Sequence, residues 1–110
     1  MINHYSNEIP TFPEYWDAGD NEWIWIGWSE VLEGASIVTS AWTLPDGWTE
    51  HATQENQTVE DEDGTSHTNC NGVRTSNTNA PEGVVEIKNR IALSDSRTYE
   101  RTVRLRVMVQ

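Results

Sequence analysis

The last quarter of the chain, Gly83-Val-Val-Glu-Ile-Lys-Asn-Arg-Ile-Ala-Leu-Ser-Asp-Ser-Arg-Thr-Tyr-Glu-Arg-Thr-Val-Arg-Leu-Arg-Val107, alternates apolar and polar residues on both sides of a short polar turn. Val85, Ile87, Ile91 and Leu93 share one parity, as do Tyr99, Val103, Leu105 and Val107. Each run therefore reads as a strand with one apolar and one largely charged face. A one-residue slip would turn every apolar side chain to solvent, so paired positions must sum to an even number, with 190 and 192 the plausible values. A sum of 190 sets Glu86 opposite Arg104 and Arg90 opposite Glu100, whereas 192 sets Lys88 against Arg104. Opposite-charge pairs across strands are worth only about 0.2–1 kcal/mol each, a preference in register and little more. The predicted register is 190, with Ser94, Asp95 and Ser96 forming the turn.

A ribbon with one apolar face needs a second layer over it, and the rest of the chain supplies strands and turns. In Trp23-Ile-Trp-Ile-Gly-Trp-Ser-Glu-Val-Leu32, alternation puts Ile24, Ile26 and Trp28 on one face and Trp23 and Trp25 on the other. Ser36–Leu44 is a strand with Val38, Ser40, Trp42 and Leu44 on one side, ended by the Pro45-Asp46-Gly47 turn. Residues 48–59 are a polar strand, Glu60-Asp-Glu-Asp-Gly64 an acidic loop, and residues 65–76 a weaker strand before the Asn77-Thr-Asn-Ala-Pro81 turn. Six or seven short strands at this spacing, with no helix of normal length, predict an all-β sandwich. At 110 residues the chain is one domain, able to bury roughly two-thirds of its unfolded surface. The expected core is Trp28, Val38, Trp42, Val85, Ile87, Ile91, Val103, Leu105 and Val107.

Residues 1–22 carry Pro10, Pro13, scattered aromatics and five acids without sustained period, and read as an extended N-terminal arm on a sandwich of residues 23–110. Phe12, Tyr15 and Trp16 give the arm more aromatic area than a solvated tail carries, so they are the expected contacts to a partner. On this reading, replacing Phe12 and Trp16 by Ala leaves the fold intact and weakens assembly.

The net charge of -11 is unevenly placed. Residues 1–87 hold one base, Arg74, against sixteen acids, while residues 88–110 hold six bases against Asp95 and Glu100. A field of that sign repels phosphate backbones, so no nucleic-acid partner is expected, and the late arginines read as a solvated strand face. No run is apolar enough for a membrane span or a signal peptide, and no membrane partner is expected. Cys70 is alone, without metal-ligand spacing around it, and reads as an inert thiol. Asp61, Glu62 and Asp63 lack the offsets of a calcium loop, and His4, His51 and His67 lack ligand spacing. Neither a nucleophile elbow nor a distinguishable carboxylate pair is present. The chain is therefore read as a non-enzyme with no cofactor. Six tryptophans raise carbohydrate binding as an alternative, through Trp16, Trp23, Trp25 or Trp48.

The order of motifs adds a resemblance. A Trp-rich aliphatic segment ends in Leu32; Gly34-Ala-Ser-Ile-Val-Thr-Ser-Ala-Trp-Thr-Leu-Pro-Asp-Gly47 follows, then Asn71-Gly-Val, Val85-Glu-Ile-Lys-Asn-Arg-Ile91 and Arg97-Thr-Tyr-Glu-Arg-Thr-Val-Arg-Leu-Arg-Val107. Over roughly residues 23–109 this resembles a family of small tailed-phage virion proteins that includes adaptors joining tail fibres to the tail tube. The resemblance implies an immunoglobulin-like sandwich and a structural role in the virion tail, with assembly in the host cytoplasm. It also implies several copies in a ring, contacting tail-tube or portal-adaptor proteins and a tail fibre. A capsid decoration protein of the same fold is a further alternative.

Overall fold

A computed structural model describes residues 2–4, 14–60, 64–77 and 82–108. Its strands are β1 (Ile2–His4), β2 (Glu14–Asp17), β3 (Asn21–Gly27), β4 (Ile37–Thr43), β5 (Trp48–Glu60), β6 (Ser66–Asn77), β7 (Gly83–Leu93) and β8 (Thr98–Met108). A four-residue helix, α1 (Ser29–Leu32), follows β3. The strands form a front sheet in the order β2-β8-β7-β4 and a back sheet in the order β1-β3-β6-β5. Packed face to face they make an immunoglobulin-like sandwich, with β3, β6 and β5 in the places of strands B, E and D and β4, β7 and β8 in those of C, F and G.

The closing hairpin has the predicted register: Glu86 lies opposite Arg104, Arg90 opposite Glu100 and Ile91 opposite Tyr99. Leu93 N–H donates to Arg97 O at 2.8 Å, leaving Ser94–Ser96 as the turn, with Ser96 at φ 73. A three-residue hairpin loop ending in a left-handed residue matches the twist of its strands. Ile87, Ile91, Leu93, Val103 and Leu105 cluster with Ile24, Ile26 and Val73 of the back sheet and with Trp28 just after β3, and Val107 is buried as well. Val85 and Trp42 pack on the same cluster half-buried.

Val38 departs from the expected core and is 63% exposed. The cause is a β-bulge: Ile37 pairs with Leu93 and Thr39 with Ala92, so Val38 is the unpaired extra residue. Parity resets there, with Ile37 buried before the bulge and Ser40 and Trp42 facing inward after it.

The described part of the expected arm belongs to the sandwich. Glu14–Asp17 pair in parallel with Leu105–Met108 at one edge of the front sheet, and Ile2–His4 pair in parallel with Ile24–Ile26 at one edge of the back sheet. Pairing sets Trp16 level with Val107 on the inner face and Tyr15 level with Arg106 on the outer face. Trp16 is therefore 1% exposed and is core, not a contact held out for a partner. Its ring lies 5.1 Å from that of Trp48, and its Nε1–H donates to Asn77 Oδ1 at 3.2 Å. Phe12 lies outside the described residues.

The inner faces meet around a polar centre. Two positions that interrupt the apolar parity, Asn89 and Arg101, are direct cross-strand partners and both buried. Asn89 Oδ1 accepts from Trp28 Nε1 at 2.9 Å and from Asn71 Nδ2 at 3.2 Å, while its Nδ2 donates to Ser40 Oγ at 2.9 Å and Ala41 O at 3.1 Å. Asn71 also donates to Ser40 Oγ at 3.1 Å and accepts from Asn56 N at 3.2 Å, at a β5 bulge where Asn56 has φ 56. One fully buried pair of amides thus ties β4 and β7 of one sheet to β5 and β6 of the other. Asn89→Ala leaves the Trp28 indole and the Asn71 amide short of an acceptor, each costing about 1–3 kcal/mol. Denaturant unfolding is expected to show a loss of about 2–4 kcal/mol as a lower midpoint at unchanged slope.

Candidate interaction surface

The outer face of the front sheet is built by the residues that alternate with the core. Tyr15, Arg106 and Val84 form one cross-strand row, and Asp17 and Met108 lie on the next. Tyr15 is 72% exposed, while Val84 and Met108 are each 41% exposed. An aromatic ring, two aliphatic side chains and an exposed arginine thus share one corner of the sheet, the residue types that contact surfaces favour. Toward the hairpin turn the rows are Glu86 with Arg104, Lys88 with Thr102, and Arg90 with Glu100. Lys88, Arg90, Arg104 and Arg106 form no salt bridge within the described residues, so their charge faces outward uncompensated. Four bases against Asp17, Glu86 and Glu100 give this face +1 on a chain of -11.

Two of the late arginines do other work. Arg101 points inward with its guanidinium 4.7 Å from the Trp28 ring centroid, donating to Gly27 O and to the Glu30 carboxylate. It is buried, contrary to the expected solvated face, because its parity is that of Val103 and Leu105. Burial lowers its pKa, and the Glu30 charge opposes that shift. Arg97 donates to Val31 O at 3.1 Å and Leu32 O at 2.8 Å, fastening the carbonyl end of α1 to the β7–β8 turn. Its Nε is 2.7 Å from Asp95 Oδ2. The Arg97 backbone N–H, followed by its guanidinium, lowers the Asp95 pKa, and the Asp95 carboxylate raises that of Arg97.

On the outer face of the back sheet, Trp23 and Trp25 stack at 5.2 Å with an interplanar angle of 16°. Trp25 lies across Gly72, its cross-strand partner; a Cβ there would come 2.6 Å from the indole ring. Val59 and Cys70 complete this small outer cluster, with Cys70 wholly buried. Among the six tryptophans, Trp16, Trp25 and Trp28 are buried and Trp23, Trp42 and Trp48 half-buried. None of the four indoles raised for carbohydrate binding, Trp16, Trp23, Trp25 and Trp48, is fully exposed.

A cleft of about 280 Å³ beside α1 is lined by Gly27, Ser29, Glu30, His67 and Thr68. Its carboxylate is held by Arg101, and Ser29 Oγ is engaged with Thr68 O at 2.7 Å. His51 Nε2 lies 2.7 Å from Ser76 Oγ elsewhere on the back sheet. No group of three or more His, Cys, Asp or Glu side chains converges among the described residues. Asp61, Glu62 and Asp63 lie outside them. No helix among the described residues is long and apolar enough to cross a membrane.

The inward roles of Asn71, Asn89 and Arg101 depart from the expectations, whereas Ser40 lies on the expected side with Trp42. The signal was present as gaps in alternation: Asn89 interrupts Ile87 and Ile91, and Arg101 interrupts Tyr99 and Val103. Comparison with protein-family models, curated proteins and solved structures returned no match.

The surface and the core are separable at neighbouring residues. Trp16→Ala is expected to cost about 3–5 kcal/mol, the usual penalty for deleting a buried tryptophan. Tyr15→Ala is expected to stay within about 0.5 kcal/mol of wild type. Chemical denaturation of the two variants checks both values.

Proposed function

We propose that this chain is a phage virion structural protein, a tail fibre-to-tail adaptor that acts by surface contact. The observation that carries the reading is the front-sheet corner of Tyr15, Val84 and Met108 around Arg106, exposed at the outer face of the sandwich. The motif residues behind the resemblance add support: Ser40, Asn71 and Asn89 are bonded to one another at the centre, and Trp42 packs on the core. They are determinants of this fold. A rigid domain with an exposed, uncompensated corner suits an adaptor that must hold its shape while gripping another protein.

The proposed partners are tail-tube or portal-adaptor proteins on one side and a tail fibre on the other. The role requires no cofactor and no reaction. Particles assembled with Tyr15→Ser and Met108→Ser together are expected to contain the folded chain but to lose fibres. Gold labelling of wild-type particles is expected at the junction between tail and fibre. Label spread over the capsid, or full fibre retention by the double variant, refutes the reading.

A further inference from the structure

Asn71 and Gly72 form the one Asn-Gly step in the sequence. In an unfolded chain such a step is labile, because a glycine leaves its own amide nitrogen unhindered and free to approach the asparagine side chain. Packing fixes both halves of the step. Asn71 is wholly buried at the polar centre, its Nδ2 donating to Ser40 Oγ and Asn89 Oδ1 and its Oδ1 accepting from Asn56 N. Gly72 lies against Trp25, where a Cβ would come 2.6 Å from the indole ring. An exchange at either position therefore disturbs the polar centre or the seat of Trp25. The folded chain also holds the reacting atoms apart. β6 is paired here with strands on both sides, Asn71 with Ile26 and Gly72 with Trp25 and Gln54. Extended backbone, with ψ near about +135°, keeps the Gly72 nitrogen away from Asn71 Cγ, and three hydrogen bonds stop the side chain from turning toward it.

We infer that Asn71 is a modification site armed by unfolding, at which the open chain deamidates through a cyclic imide and loses the ability to refold. The Gly72 nitrogen attacks Asn71 Cγ, the bond from Cγ to Nδ2 breaks, and Nδ2 leaves as ammonia carrying the proton that the Gly72 nitrogen gives up. Water then opens the ring at one of its two carbonyl carbons, giving aspartate when the side-chain bond breaks and isoaspartate when the backbone bond breaks. Water is the sole co-reactant, and nothing is oxidised or reduced. Either product spoils the centre. Aspartate has no N–H to offer Asn89 Oδ1 and sets oxygen against oxygen inside the core. Isoaspartate also lengthens the main chain of β6 by one carbon, between two strands whose register it must match. A copy that stays unfolded is thus withdrawn in one direction, while a folded copy is protected by the very contacts that the reaction would destroy. The inference does not depend on the adaptor reading.

Peptide mapping by mass spectrometry tests it on the full-length chain, held folded or held in guanidinium at the same mildly alkaline pH. Conversion of Asn71, read as the mass gain of an amide replaced by an acid, is expected in the unfolded chain. In the folded chain it is expected to be at least about a hundredfold slower, because a stable domain opens to a smaller fraction than that. Asp46-Gly47 and Asp63-Gly64 close the same kind of ring by losing water and regain it on opening, so the mass gain reports asparagine alone. The yield of native protein on dilution from guanidinium is expected to fall in step with the converted fraction. Asn71→Asp, which installs one product directly, is expected to melt below wild type or not to fold. Asn71→Gln, whose longer side chain must close a larger ring, is expected to keep its mass in guanidinium over the time that converts wild type, a readout that does not require it to fold. The inference is overturned by a folded chain that converts as fast as the unfolded one, or by an unfolded chain whose other asparagines convert first. Modified protein, or the Asn71→Asp chain, that refolds and melts like wild type overturns it equally.

Discussion

The buried amide of Asn89, held between Trp28, Asn71 and Ser40, is the interaction on which the arrangement of the two sheets depends. Apolar side chains from facing sheets tolerate small sliding motions, because dispersion contacts have little direction. Hydrogen bonds inside a core do not, since each donor or acceptor left open costs about 1–3 kcal/mol. All four bonding positions of Asn89, on β7, are used by residues from β4, β6 and the turn after β3. Sheet alignment is thereby specified by direction as well as by volume. Arg101 adds a buried charge that Glu30 and Gly27 O help to compensate.

This centre also explains the hairpin register better than the charges that predict it. A sum of 192 would keep every parity yet place Asn89 opposite Val103 and Arg101 opposite Ile91. The two polar side chains would then be separated inside an apolar layer, at several times the energy of an exposed charge pair. Glu86 and Arg104 lie level as expected, but no salt bridge closes between them. The correct register therefore follows from a weak surface preference in the sequence reading and from a strong interior constraint in the folded molecule.

The edges of the sandwich show how one sequence separates core from contact surface. Each sheet ends on one side in a short edge strand, β1 or β2, and on the other in a longer one, β5 or β4. Both longer edges are bulged, which disrupts the template for further strand pairing. Across β2 a single step along the backbone moves from Tyr15, turned to solvent, to Trp16, wedged against Trp48. Substitutions one residue apart thus address recognition and folding separately. That division suits a domain whose proposed work is to hold a rigid outline against its neighbours.

Periodicity by itself determined the strands β3 to β8, the turn at Ser94–Ser96 and the inner faces of β3, β7 and β8, because a half-buried strand must repeat its apolar residues at every second position. The break in acid and base content near residue 88 is equally a property of the sequence. Pairing partners decided the rest. Trp16 became core because β2 docks beside β8, and Val38 was expelled because one extra residue bulges from β4. Asn71 and Asn89 met because their strands belong to different sheets packed face to face. Such outcomes depend on contacts between residues far apart in the chain, which local alternation does not encode.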